Sequence, residues 1–257
     1  MFGSELALGK SSLKGKLYYR LLGHDHMGLR VRSMHVQRML PQVDALETIL
    51  GAGSGDGCYS FYLARKYPRA KVIGIELKAQ LVENCRTIAS RLKLRNIGFV
   101  QGDLTAYRPM NKFDLICCMD VLEHIEYDEK VLSNFYDALR ENGELLLHVP
   151  VRGHLQKHYF WDCAAMTIED HVRDGYSKAE IEARLRSSGF DIKELRHTFG
   201  WFGSLSSELS RKLERAGPWR TLLKLFLFPL LITLAYLDTL SPNHDHQGFL
   251  LRASLAK

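Results

Sequence analysis

The stretch Thr48-Ile-Leu-Gly-Ala-Gly-Ser-Gly-Asp-Gly57 puts alternating glycines directly after an apolar run and before a segment of helical periodicity, and few folds use that order. Gly51, Gly53 and Gly55 permit backbone angles closed to other residues and let the chain approach a ligand closely. A helix that follows such a turn offers free N–H groups at its start. A dinucleotide fingerprint reads G-x-G-x-x-G, yet the sixth position counted from Gly51 is Asp56, and counted from Gly53 it is Cys58. Hydride transfer from a dinucleotide is therefore disfavoured, and an ordinary glycine-rich turn remains the bland alternative.

From residue 45 onward, short β-like runs alternate with helical stretches, the signature of a mostly parallel sheet covered by helices. The pattern predicts strands near 45–50, 71–75, 97–100, 114–118 and 144–149, with helices near 57–67, 79–92 and 128–140 between them. Asn142-Gly143 is expected to end the last of these helices in a left-handed turn. Ser177 is a plausible N-cap with Glu180 three residues on, so a helix is expected over 177–188, ended by Gly189. Residues 190–198 and 248–256 read as two more strands, flanking an insertion of different composition.

The 257 residues and 46% hydrophobic content allow a substantial core. Five cysteines with no C-x-x-C pair indicate neither a disulfide framework nor a zinc knuckle, and the chain reads as cytosolic and reduced. Glu5 and the lysines near the start are unlike a secretory signal. Of the net charge of +6, residues 1–40 hold +5, seven Lys/Arg against Glu5 and Asp25. Such a bias suits an anionic membrane surface or a nucleic acid, or is simply a solvated basic tail.

Glu76 closes the second strand 21 residues after Gly55, near the spacing at which an acid meets a ribose in nucleotide-binding βαβ units. Further on come Val100-Gln-Gly-Asp-Leu104, after the third strand, and Asp120-Val-Leu-Glu-His124, after the fourth. The glycine turn, Glu76, Gly102-Asp103 and Asp120–His124, in that order and at those separations, resemble the class I S-adenosylmethionine-dependent methyltransferases, within them the ubiquinone-biosynthesis O-methyltransferases and their small-molecule and lipid relatives. The resemblance spans residues 45 to about 198. It implies an α/β, Rossmann-like sheet, mostly parallel with the last strand antiparallel, helices on both faces and a hydrophobic helical cap. It also implies S-adenosylmethionine as cofactor, with Gly51, Ala52, Gly53 and Gly55 at the donor, Glu76 and Leu77 at the ribose, Asp103 and Leu104 at the adenine, and Asp120 and Val121 at the methyl-donor side. One departure is Ile49, where family members usually carry an acid two residues before the first glycine; the nearest acid upstream is Glu47. The Asp-Pro-Pro-Tyr type of motif that holds a flipped base is absent, so base methylation is not expected.

Methyl transfer needs reactants held close and aligned, and a hydroxyl acceptor also needs a base. His124, His148 and His154 are candidates by type and position, His124 foremost. Asp120, Glu123 and His124 also resemble a Glu-x-x-Glu-His metal set known in quinone-pathway relatives, although Leu-Glu-His is widespread in the fold without metal, and no metal site is assigned. The loop 149–161 mixes aromatic and basic residues and is a candidate acceptor wall, while His171 is expected to brace the fold.

Residues 222–237 form the most hydrophobic part of the chain, interrupted by Lys224 and Pro229. The segment is short for a spanning helix. Over 211–224, Arg211, Lys212, Arg215, Arg220 and Lys224 face only Glu214, a balance of +4, and basic residues beside an apolar face suit an interfacial segment. A buried cap over the substrate or a dimer contact are the alternatives. The expected organisation is a basic helical segment over 1–40, a cofactor domain over 41–199, the insertion over 200–246, and a last strand over 247–257. The expected activity is methyl transfer to a small, apolar or lipid-like acceptor at oxygen. A non-catalytic cofactor-binding or membrane-associated protein of the same fold is the alternative, and nucleic acid is not favoured.

Overall fold

In the computed structural model, the described residues are 2–9, 12–24, 26–42, 46–153, 160, 171–215, 217–242 and 246–256. Seven strands form one sheet in the order β3-β2-β1-β4-β5-β7-β6. They are β1 (Thr48–Ala52), β2 (Lys71–Glu76), β3 (Ile97–Gln101), β4 (Phe113–Met119), β5 (Leu139–Pro150), β6 (Phe190–Thr198) and β7 (Gly248–Leu255). The first five pair in parallel, and β7 runs antiparallel to both β5 and β6. Crossover helices α3 (Cys58–Lys66), α4 (Ala79–Arg91), α5 (Asp128–Ala138) and α6 (Lys178–Ser187) cover the two faces. Buried on both sides, the central strands carry unbroken apolar stretches such as Leu115–Met119 and Leu145–Leu147. The carboxyl ends of the six strands other than β7 lie at one end of the sheet, where ligands of open α/β sheets collect.

The predicted strands and helices appear with shifted ends, and one boundary is corrected. α5 stops at Ala138, and β5 begins at Leu139, so Asn142-Gly143 is not a helix end. Gly143 keeps negative φ within the register shift between Phe113 and Leu115, where a Cβ would press on the Phe113 carbonyl oxygen at 2.8 Å. Close approach of backbone, not a left-handed turn, is what requires glycine there. The Ser177 cap is as expected, with Glu180 closing a reciprocal capping box and Gly189 at φ +87° after the helix.

The N-terminal segment holds a 3-10 turn (Ser4–Gly9), α1 (Leu13–Leu22) and α2 (Met27–Met39), and the insertion holds α7 (Trp201–Glu214) and α8 (Arg220–Asp238). These distant parts of the sequence share a core of Met27, Val31, Leu213, Leu231 and Ala235. A buried hydrogen bond pins them: His35 Nε2 of α2 lies 2.8 Å from Asp238 Oδ2 at the end of α8. Asp238 also accepts from the Gly203 N–H at 2.9 Å and the Phe199 N–H at 3.1 Å, which satisfies the start of α7.

α8 continues through Pro229 without a break, and Thr221–Asp238 is long and apolar enough to cross a membrane by length and composition. Its inner side, with Leu231, Leu234 and Ala235, is buried in the protein. The outward side bears Leu222, Leu225, Phe226, Leu230 and Tyr236, all exposed, and no charged residue, because Lys224 turns inward to Glu214 at 2.9 Å. The helix thus lies along the molecule, apolar on both sides.

Candidate active site

At the carboxyl ends of β1, β2 and β4 a cavity of about 570 Å³ opens, within the range of cofactor sites. Gly53, Gly55, Glu76, Leu77, Asp103, Leu104, Asp120 and Val121 line it, as the resemblance implies. Gly51 and Ala52 do not: both are buried in β1 beneath the cavity, where they carry the chain up to the turn. Ile75, Lys78, Leu81, Gly102, His124 and Ile125 complete the wall. Gly53 sits at φ +65°, and a side chain on it would collide with Val121, so the turn can pass close to a ligand only as glycine. Ile49 is fully buried on the core side of β1 and reaches nothing in the cavity.

Glu76 braces the turn it faces. Its Oε2 accepts from the Gly55 N–H at 2.9 Å and its Oε1 from the Lys78 N–H at 3.0 Å, leaving further lone pairs toward the cavity. Asp103 accepts from the Thr105 N–H at 2.8 Å. A residue that sequence reasoning missed holds this loop: buried Asn134 of α5 donates to the carbonyls of Leu104 at 2.7 Å and Thr105 at 3.0 Å. Two carboxylates lining one mainly apolar cleft fit a nucleoside, one for a vicinal diol and one for an exocyclic amine, with Ile75, Leu77, Leu104 and Ile125 as walls for the base.

A second chamber of about 240 Å³ adjoins the first, and among the described residues Asp120 and His124 line both. Asp120 stands at φ +51°, a left-handed angle rare outside glycine, and two partners hold it there. Its carboxylate is ion-paired with Arg32 of α2 and bonded to Nδ1 of His148 at the end of β5. His148 Nε2 in turn lies 2.9 Å from the Thr198 hydroxyl, so both ring nitrogens are engaged. Burial lowers the His148 pKa, against the raising effect of Asp120, and keeps the ring neutral. His148 therefore supports Asp120 and is not placed to take a proton from an acceptor. His154 and most of the loop 149–161 lie outside the described residues.

His124 ends a short 3-10 turn (Leu122–His124), exposed toward the chambers and edge-on to His171, with ring centroids 4.4 Å apart. Glu123 is buried with Oε2 lacking a hydrogen-bond partner, and burial together with the charge of Asp120 pushes its pKa well up. Glu123, His124 and His171 bring three ligand atoms within 4.8 Å of one another, enough to hold a divalent ion. Asp120, grouped with Glu123 and His124 on sequence grounds, is outside this cluster because Arg32 and His148 draw it away. The rest of the second chamber comes from the start of α2 with His26 and Arg32, from Ser207 and Arg211 of α7, from His148 and Pro150 of β5, and from Phe199 and Gln247 beside β6 and β7. No local motif marks these residues.

A family described as Methyltransferase domain matches residues 44–201. The chain is similar to (S)-coclaurine N-methyltransferase of Papaver somniferum, 21% identical over 135 residues that cover 52% of this chain and 38% of that protein. It is also similar to the mitochondrial ubiquinone biosynthesis O-methyltransferase of Schizosaccharomyces pombe, 27% identical over 48% of this chain and 43% of that protein. It thus spans less than half the length of these curated relatives. Among solved structures, phosphoethanolamine N-methyltransferase 2 of Haemonchus contortus, in complex with S-adenosyl-L-methionine, superposes with TM-score 0.65 at 18% identity, covering 100% of this chain and 60% of that one. That likeness is one of fold.

Proposed function

This chain belongs to the methyltransferase-domain family, and on that premise we propose that it transfers a methyl group from S-adenosylmethionine to a small acceptor held in the chamber beside His124. The observation that carries the reading is the pair of adjoining chambers: one is an apolar cleft of nucleoside size lined by the Glu76 and Asp103 carboxylates, and the other meets it at Asp120 and His124. Bound there, the sulfonium would supply an electrophilic methyl group.

The residues supply positioning. Glu76 and Asp103 fix the nucleoside, and Arg32 and His148 hold Asp120 at the junction. The walls of the two chambers limit water around the reacting atoms. An oxygen acceptor is favoured by His124, an exposed imidazole shared by both chambers and able to receive the hydroxyl proton. An apolar or lipid-like acceptor, and contact with the membrane through 211–237, are supported by the charge-free outward side of α8 and the basic residues before it. In this reading the protein works in the cytoplasm, on the membrane surface.

A metal-assisted variant of the same reaction is favoured by the unpartnered Glu123 oxygen beside His124 and His171. An ion there would orient an acceptor hydroxyl and lower its pKa.

Calorimetric titration with S-adenosylhomocysteine tests the donor site. The wild type should bind, and Glu76→Ala should weaken binding roughly thirtyfold or more, the worth of charge-assisted bonds to the ribose. Equal affinity in the variant would remove the ribose assignment, and no binding by the wild type would remove the methyl-transfer reading. Repeating the titration and an acceptor screen after chelation separates the metal-assisted variant, which requires loss of turnover with donor binding retained.

A further inference from the structure

We propose that α1 is a second lipid-contacting helix, lying with its Leu13–Leu17–Leu21 stripe on an anionic bilayer surface. The inference goes beyond the methyl-transfer reading and does not depend on it. At about 100° per residue these three leucines occupy roughly 80° of arc. All face solvent, at 81%, 57% and 59% exposure. Lys14 borders the stripe on one side, and Arg20 and Lys16 border it on the other, all exposed, and α1 has no acid. The opposite side is the one packed on the molecule. Leu22 is buried there, and Tyr19 lines a cavity of about 400 Å³ together with His24, Asp56 and Leu81, beside the donor turn.

An unpartnered leucine stripe on a helix whose other face already has a partner is free for something outside the chain. The bracketing charges decide what that is. Lys and Arg flanking a narrow apolar stripe are what an interfacial helix presents: the leucines enter the headgroup boundary while the cations meet anionic lipid. A second copy of this chain fits poorly, because two such helices would oppose lysine to lysine, and three leucines fall far short of the 20–30 residues a side of a stable interface.

The test is co-sedimentation of the full-length chain with phosphatidylcholine vesicles, with and without phosphatidylglycerol. Two variants are compared with the wild type: L13Q/L17Q/L21Q, which removes the stripe, and K14Q/K16Q/R20Q, which removes the charges. The expected results are tighter binding with phosphatidylglycerol, a loss of about tenfold or more in the leucine variant, and a loss of roughly fivefold per charge removed in the other. The substituted residues are exposed, and an unchanged thermal transition and unchanged S-adenosylhomocysteine binding would confirm intact folding. Wild-type vesicle binding by both variants would overturn the proposal. So would a wild-type dimer in analytical ultracentrifugation that L13Q/L17Q/L21Q converts to monomer, since a second copy would then cover the stripe. Failure of the donor site would appear separately, as absent S-adenosylhomocysteine binding in the wild type.

Discussion

His148 shows how burial turns a titratable group into a supporting one. Its ring lies between the Asp120 carboxylate and the Thr198 hydroxyl, and desolvation lowers its pKa below the ordinary imidazole value. In the unfolded chain the group takes up its proton near pH 6.5, while the folded form resists until lower pH. Between those points the unfolded state binds more protons, so the stability it contributes is full above pH 6.5 and is lost as the pH falls through this window. We expect His148→Gln to be less stable than wild type at neutral pH but to lose stability more slowly on acidification. The difference in slope should approach 1.4 kcal/mol per pH unit, read from urea unfolding at successive pH values. Equal slopes would mean that His148 is protonated in the folded state. Glu76 stands out in the sequence as the acid that closes the second strand 21 residues after Gly55, and Asp103 stands out through the family resemblance. The neutrality of His148 is not legible, because it depends on burial that only the assembled fold creates.

α8 is the element whose chemistry departs most from an ordinary surface helix. Its apolar composition is plain in the sequence, but composition alone leaves a buried cap, a dimer contact and a membrane contact equally open. Packing divides the helix into two sides: Leu231, Leu234 and Ala235 meet the protein, whereas Phe226 and Leu222 are 80% and 58% exposed. Pro229 does not interrupt it, since a proline N removes one internal bond while the flanking turns stay packed. The Thr233 hydroxyl donates to the Pro229 carbonyl at 2.8 Å, one turn back. Replacing Leu222, Phe226 and Leu230 together by Gln should leave the unfolding free energy within roughly 1 kcal/mol of wild type. The same change should lower partition onto vesicles at least about tenfold if this side meets lipid. A rise in stability or solubility without change in partition would return the helix to the role of an unpartnered cap.

At the scale of the whole molecule, a mostly parallel, helix-covered sheet is readable from the alternation of strand-like and helical stretches, whereas the union of the two ends of the chain is not. α2 precedes the sheet and α7–α8 interrupts its last connection, yet together they wall the second chamber and share one core. His35 and Asp238 hold that union, both almost wholly buried. Removing the imidazole leaves Asp238 with the Gly203 and Phe199 N–H groups but takes away its side-chain partner across the two helices and opens a cavity at a buried position. His35→Ala should therefore destabilise the protein by about 2 kcal/mol and expose the α2 region to protease before the sheet unfolds. His35→Gln, which retains a donor toward Asp238, should recover part of the loss. A His35→Ala protein of wild-type stability would show that the shared apolar core is sufficient alone. No pattern in the sequence announces this pair, because its members are separated by nearly the whole chain.

β6 meets the sheet only through β7, which slots between it and β5, and the entire α7–α8 insertion is made between these two strands. On the ribosome, β6 and both cap helices emerge while that slot is still open. β5 then has a bare edge, β6 has no strand beside it, and the outward side of α8 is already in water or against a bilayer. Long-range pairing of this kind closes slowly and leaves edges exposed in the meantime. The sheet is completed only when residues 248–255 thread into place. A nascent chain held up before that point would carry an assembled cofactor cleft beside an unfinished sheet, and a bilayer or chaperone reaching α8 early would shield the more hazardous of its two exposed surfaces.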